Sequence, residues 1–195
     1  MEEILSKDAF SLLQDLAVLN TGLESNLDRT ALEEAYSAGN FATFFSELLD
    51  TGMLKKREGE EGIYQFLYHH IQEALQDDIK ERDEKAINYY NKKSEKFGKN
   101  PDDFVEILFH ISKINPDKRV RDAFIALCGN LSPVHYGFKR LVDVGLILKS
   151  RSEYGEEEKA PLIGSLGILY SDLRRFEAAE TAYNDSLQVY KDLAD

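Results

Sequence analysis

The sequence predicts a mainly α-helical chain in two parts: a compact unit of three helices with a small β-hairpin, then a row of helical hairpins. Three observations carry this. Apolar residues recur at intervals of three and four through most of the chain, the spacing of one helical face. Pro101, Pro116, Pro133 and Pro161 all fall where a helix is expected to begin, a position that tolerates the missing N–H. One β-branched and aromatic stretch, residues 63–68 (IYQFLY), follows a Gly-containing turn and runs into Ile71, Leu75 and Ile79 at helical spacing, so it reads as a strand turning into a helix.

In chain order, Ser6 caps a helix over residues 7–19 with Phe10, Leu13, Leu16 and Ala17 on one face. Residues 21–27 read as a polar loop. Asp28 caps a second helix that turns Leu32, Ala35 and Tyr36 inward. Gly39 and Asn40 introduce a third helix, whose Phe41, Phe44, Phe45, Leu48 and Leu49 form the clearest amphipathic row in the chain. Gly52 stands where a C′ glycine belongs. Residues 53–57, a turn at 58–62 and residues 63–68 complete a hairpin. Three helices followed by a two-stranded wing is the layout of a winged helix, assigned to residues 1–80.

Beyond it, residues 81–195 are assigned to a helical repeat domain. Helices are expected over 83–97, 101–114, 116–127, 133–150, 161–173 and 177–193, each proline at a start. Residues 150–159 (SRSEYGEEEK before the next Ala) are read as a hydrophilic connector that loops out. Helices joined by short connections form antiparallel hairpins, and a row of hairpins is an α-solenoid. Most aromatic residues, including the groups Phe41/Phe44/Phe45 and Tyr89/Tyr90/Phe97, fall on expected core stripes.

Composition narrows the function. The 195 residues are 43% hydrophobic and 31% charged, ordinary for a globular chain. A single cysteine, Cys128, excludes an internal disulfide and a cysteine-based zinc site, and its apolar surroundings suggest a buried structural thiol. No apolar run is long enough to span a membrane, and the acidic N-terminus lacks a signal-peptide layout, so the expected location is cytoplasmic. The net charge of −12 is concentrated in residues 1–80, which hold six Lys/Arg and sixteen Asp/Glu. Such a unit repels phosphate backbones. In a DNA-binding winged helix the third helix presents polar and basic side chains to the major groove. Here residues 41–49 contain no Lys or Arg, and the only basic cluster, Lys55-Lys56-Arg57, sits on the wing beside Glu58, Glu60 and Glu61.

No catalytic constellation stands out. His70 and Glu73 share a helical face but lack the further ligands a metal needs. His110 and His135 stand alone in apolar helices and read as packed or surface side chains. Gly164-Ser165-Leu166-Gly167 is no G-x-S-x-G elbow, because a helix rather than a strand precedes it. The expectation is neither enzyme, metal nor cofactor.

The last hairpin, residues 160–193, resembles a tetratricopeptide repeat. Ile163, Leu166, Gly167, Tyr170, Ala179 and Tyr183 occupy its signature positions, and Phe176 takes the aromatic site at the turn. Ser186 stands where Ala is usual and Lys191 where Pro is usual. In such repeats the first helix lines a partner-binding groove, which assigns Gly164, Ile168, Ser171 and Asp172 here. Gly164 and Ile168 lack the Lys and Asn with which some repeats clamp a terminal carboxylate.

Residues 5–127 are similar to the region after the nucleotide-binding domain in signal-transduction ATPases with numerous domains. There a winged helix leads into helical repeats. The entry LSKDAFSLLQDLAVLN is similar, and the joint supplies Phe66, Tyr68, His69 and Ile71 in the family's Phe-x-aromatic-His-x-Leu pattern, with Gln72-Glu73 arriving one residue early. Residues 104–114, with His110, resemble the first post-winged-helix repeat. The resemblance implies that His69, with Tyr68 beside it, couples nucleotide to the winged helix, although the chain contains no G-x-x-x-x-G-K-[ST] phosphate loop. It implies a piece or derivative of a longer regulator. The expected function is a non-catalytic protein–protein interaction and regulatory module that binds a protein or peptide through its repeats. The alternative is a winged-helix DNA-binding transcription regulator.

Overall fold

The computed structural model describes residues 4–19, 27–36, 39–66, 75, 79–133 and 137–194. Among them are nine helices and three short strands, the mainly helical architecture expected. The chain divides into two compact units, Met1–Lys99 and Asn100–Asp195.

The first unit starts with α1 (Lys7–Ala17), capped as predicted by the Ser6 hydroxyl, which accepts the Ala9 N–H at 3.2 Å. The same hydroxyl donates to the Glu47 carboxylate at 2.8 Å and so ties the start of α1 to the third helix. Strand β1 (Leu27–Asp28) lies at the edge of the stretch read as loop. Two residues are too few to display alternation, and only pairing reveals them as a strand. Asp28 then caps α2 (Arg29–Ala35), accepting the Ala31 N–H at 2.8 Å. The third helix, α3 (Phe41–Asp50), ends before Gly52, whose φ of +71° is the left-handed conformation a C′ residue adopts. Strands β2 (Leu54–Lys56) and β3 (Ile63–Phe66) complete a three-stranded antiparallel sheet of order β1-β3-β2, with Leu27 opposite Tyr64 and Leu54 opposite Phe66. Leu13, Leu16, Leu32, Phe45 and Leu48 fill the space between helices and sheet, and Phe45 meets the Tyr64 ring edge-on at 4.9 Å.

Helix α4 (Lys80–Phe97) belongs to this unit, so the division falls after Lys99 rather than near residue 80. The apolar face bearing Ala86, Tyr89 and Tyr90 needs cover, and it finds it on α1 and α2. Polar contacts fix the docking. Tyr89 accepts the Asp28 N–H at 3.1 Å, and Lys96 reaches the Asp28 carboxylate at 3.2 Å. Arg82 and Lys85 both hold the buried Asp15, at 3.1 and 2.7 Å. Phe97, counted with the core by its spacing, is exposed at the last turn beneath the Lys96 ammonium.

The second unit is helical throughout. α5 (Pro101–Ile114) has the predicted Asn100 cap and proline start. α6 (Lys118–Asn130) begins later than its proline suggests, because Asp117, not Asn115, accepts the Arg119 and Val120 N–H groups. α7 (Gly137–Lys149) is tied to α5 by the Gly137 N–H, which donates to Asp102 at 2.9 Å; the residues just after Pro133 lie outside those described. α8 (Glu156–Asp172) overturns the last proline expectation: Pro161 lies inside it. Glu156, Glu157 and Glu158 in the first turn favour the positive helix end, so residues read as a connector become helix. The rest of that connector does not loop out. Arg151 donates to the carbonyls of Ser112 and Lys113 at 3.0 and 2.7 Å, and the Tyr154 hydroxyl donates to the Pro116 carbonyl at 2.7 Å. α9 (Phe176–Asp192) follows a tight turn in which Arg174 takes a φ of 59°. The core joins Phe124 of α6, Phe138, Leu141 and Leu148 of α7, and Leu162, Leu166 and Leu169 of α8.

Candidate interaction surface

α8 is apolar nearly all round, as a helix covered on two sides must be. One side sends Leu162, Leu166 and Leu169 into the core against α6 and α7. A second side packs on α9, and small residues set the approach. A Cβ at Gly167 would stand 2.7 Å from the Tyr183 ring, so only glycine admits α9 this closely. Ser186, the departure from the usual Ala, is buried, and its hydroxyl donates to the Ala160 carbonyl at 2.8 Å. The polar atom is therefore satisfied rather than stranded in the contact.

The third side of α8 is left open. Gly164, Ile168, Ser171 and Asp172 follow at steps of four, three and one, which is one stripe of a helix. Ile168 is 39% exposed, Asp172 is exposed, and Gly164 and Ser171 are half-buried. Gly164 also faces α9, since a Cβ there would stand 3.3 Å from the Ser186 hydroxyl. The chemistry of the four is an apolar contact, a hydroxyl and a carboxylate, with no nucleophile and base in combination. Tyr68 and His69 lie outside the described residues, as do His70, Glu73 and His135.

The other sequence candidates are accounted for by packing. His110 is fully buried with its ring edge-on to Phe109. Cys128 is buried in the second core, and burial pushes its thiol up to about 12, far from the thiolate a nucleophile needs. Among the described residues no group of three or more His, Cys, Asp or Glu could hold a metal. Nor is any helix among them long and apolar enough to cross a membrane. The outward face of α3 forms a shallow depression of Ala42, Thr43, Ser46, Glu47 and Asp50, polar and acidic without a base. On β2 Lys55 and Lys56 are exposed, while Arg57 just after it is paired with Glu60 at 3.1 Å.

One feature of the first unit escaped sequence reasoning: an open cavity of about 330 Å³ walled by Leu12, Asp15, Tyr36, Phe41, Phe44 and Lys85. Tyr36 donates to the Asp15 carbonyl at 3.3 Å, and burial raises its hydroxyl well above the ordinary tyrosine value. The signal for it was Asp15, an acidic residue between Leu12, Leu13 and Leu16 on a helix that buries all three. No protein-family model, curated protein or solved structure matches the chain.

Proposed function

We propose that the protein is a non-catalytic interaction and regulatory module, a winged helix followed by tetratricopeptide-like hairpins. The first half of this reading is supported by the order α1-β1-α2-α3-β2-β3 with β1 beside β3. The second is supported by the close α8–α9 crossing at Gly167 and Ala179. The observation that carries the function is the open stripe of α8. Ile168 and Asp172 are exposed on that helix, with Gly164 and Ser171 half-buried beside them, and Ile168 is offered to a partner.

Binding there is surface presentation. A partner segment lays an apolar side chain on Ile168. Ser171 and Asp172 supply a hydroxyl and a charge to set its orientation. The acidic α3 face speaks against the DNA-binding alternative, since it offers phosphates nothing to neutralise them. Selection of peptides from a displayed library on the whole chain tests the proposal, followed by calorimetry. Peptides that bind the native chain should lose at least ten-fold in affinity to Ile168→Asp and keep it with Lys99→Glu in the first unit. Peptides indifferent to Ile168→Asp, or a selection that yields none, would sink the proposal.

A further inference from the structure

Beside its contact with α8, α9 leaves an apolar row exposed. Ala179, Ala182 and Ser186 are buried against α8, and Tyr183 covers Gly167 with its ring yet stays 43% exposed, while Phe176, Leu187 and Tyr190 are between 49% and 63% exposed. At 100° per residue these four fall within an arc of about 60°, so they form one continuous row. They leave on the order of 400 Å² of contiguous apolar surface, within the range of the largest patch on a typical monomer, which is often functional. We infer that this row is a self-association surface, on which a second copy of the chain packs its own α9 antiparallel about a two-fold axis. The proposal concerns α9 and stands independently of the α8 stripe.

Two arguments choose a second copy as the occupant. The first is charge. Glu180 and Lys191 are eleven residues apart, three helical turns, and therefore stand on the same edge of the row. Both are exposed, and neither forms an ion pair among the described residues. An antiparallel pairing centred between Asp185 and Ser186 puts Glu180 of each copy beside Lys191 of the other, twice over. Each pair lies about 8 Å from the centre along the helix. A parallel pairing would set Glu180 on Glu180 and Lys191 on Lys191. The row is thus complementary to itself in one direction only.

The second argument is packing and area. In the same register Leu187 of each copy meets Leu187 and the exposed edge of Tyr183 of the other. Two rows remove about 800 Å² of apolar surface. With the polar rim this approaches the ~1,200 Å² at which specific interfaces begin. The pairing is therefore a reversible dimer of modest affinity, which populates as concentration rises.

Sedimentation velocity on the full chain, from sub-micromolar to high-micromolar concentration, tests this. The expected result is a single monomer–dimer transition that Leu187→Glu abolishes and Ile168→Asp leaves unchanged. Glu180→Lys and Lys191→Glu, each made alone, convert two attractions into two repulsions and should weaken the dimer about ten-fold. Combining them should restore it. All three residues are exposed, and circular dichroism confirms that each variant is folded. A monomer at every concentration overturns the proposal, as does growth beyond two copies, a dimer indifferent to Leu187→Glu, or a charge swap that fails to restore pairing. Loss of peptide binding at Ile168 with an intact dimer would implicate the α8 reading alone.

Discussion

Gly145 and Gly129 both lie within helices of the second unit, yet alanine at the two positions should shift stability in opposite directions. The helix propensity gained is similar, about 0.8–1 kcal/mol in a helix interior and roughly half of that near an end. What differs is the space. A Cβ at Gly145 would stand 2.5 Å from Leu166 Cδ2 and 2.7 Å from Phe124 Cζ. Phe124 and Leu166 are 0% and 2% exposed, so neither can swing away into solvent. Overpacking of this kind costs about 1–3 kcal/mol, which set against the propensity gain leaves a net loss of about 0–2 kcal/mol, and the two fixed contacts below 3 Å place it in the upper half of that range. At Gly129, near the end of α6, a Cβ meets nothing within 4 Å, and the expected gain is about 0.5 kcal/mol. Urea and thermal unfolding followed by circular dichroism read both. For a unit of this size each kcal/mol moves the midpoint by about 4–8 °C, so Gly145→Ala should melt clearly lower and Gly129→Ala slightly higher than the parent. If Gly145→Ala is as stable as the parent or more so, α7 does not approach α6 and α8 as closely as described, and the account of the second core is wrong.

Two further outcomes follow from buried polar groups. Asp15→Ala takes the carboxylate away from the Arg82 guanidinium, whose side chain is only 11% exposed and which keeps the neutral Gln14 oxygen, and should cost about 3 kcal/mol. The double variant Asp15→Leu/Arg82→Met should recover most of it, and denaturant midpoints would contradict the buried-pair reading if the single change cost under about 1 kcal/mol. The Cys128 thiol, held near 12 in the fold against about 8.5 unfolded, keeps its proton in the native chain while the unfolded chain loses it. Its contribution to stability is complete below about pH 8.5 and is lost as pH rises toward 12, at about 1.4 kcal/mol per pH unit. Cys128→Ala should flatten the fall in stability between about pH 9 and 10, before buried Tyr36 begins to contribute, and the native thiol should resist alkylation there. An unchanged alkaline slope would mean that the thiol is not buried.

The residues that specify local backbone were legible without a structure. Ser6, Asp28 and Asn100 cap the helices expected of them, and Gly52 closes α3, because a cap hydrogen bond or a left-handed φ depends only on the next few residues. The amphipathic row from Phe41 to Leu49 placed α3. Position along a helix is arithmetic, and the sequence contains it. Tertiary packing decided the rest. β1 is a strand only because β3 lies beside it, and α4 joins the first unit because its tyrosines find α1 and α2 there. Pro161 is carried inside α8 because three glutamates and the α6, α7 and α9 contacts outweigh one missing hydrogen bond. The connector before it is held by Arg151 and Tyr154 on the exposed ends of other helices. The open face of α9 belongs to the same class. Its row of Phe176, Leu187 and Tyr190 can be read from the chain, but only the packing of Ala179, Ala182, Tyr183 and Ser186 on α8 determines which side of the helix is covered there.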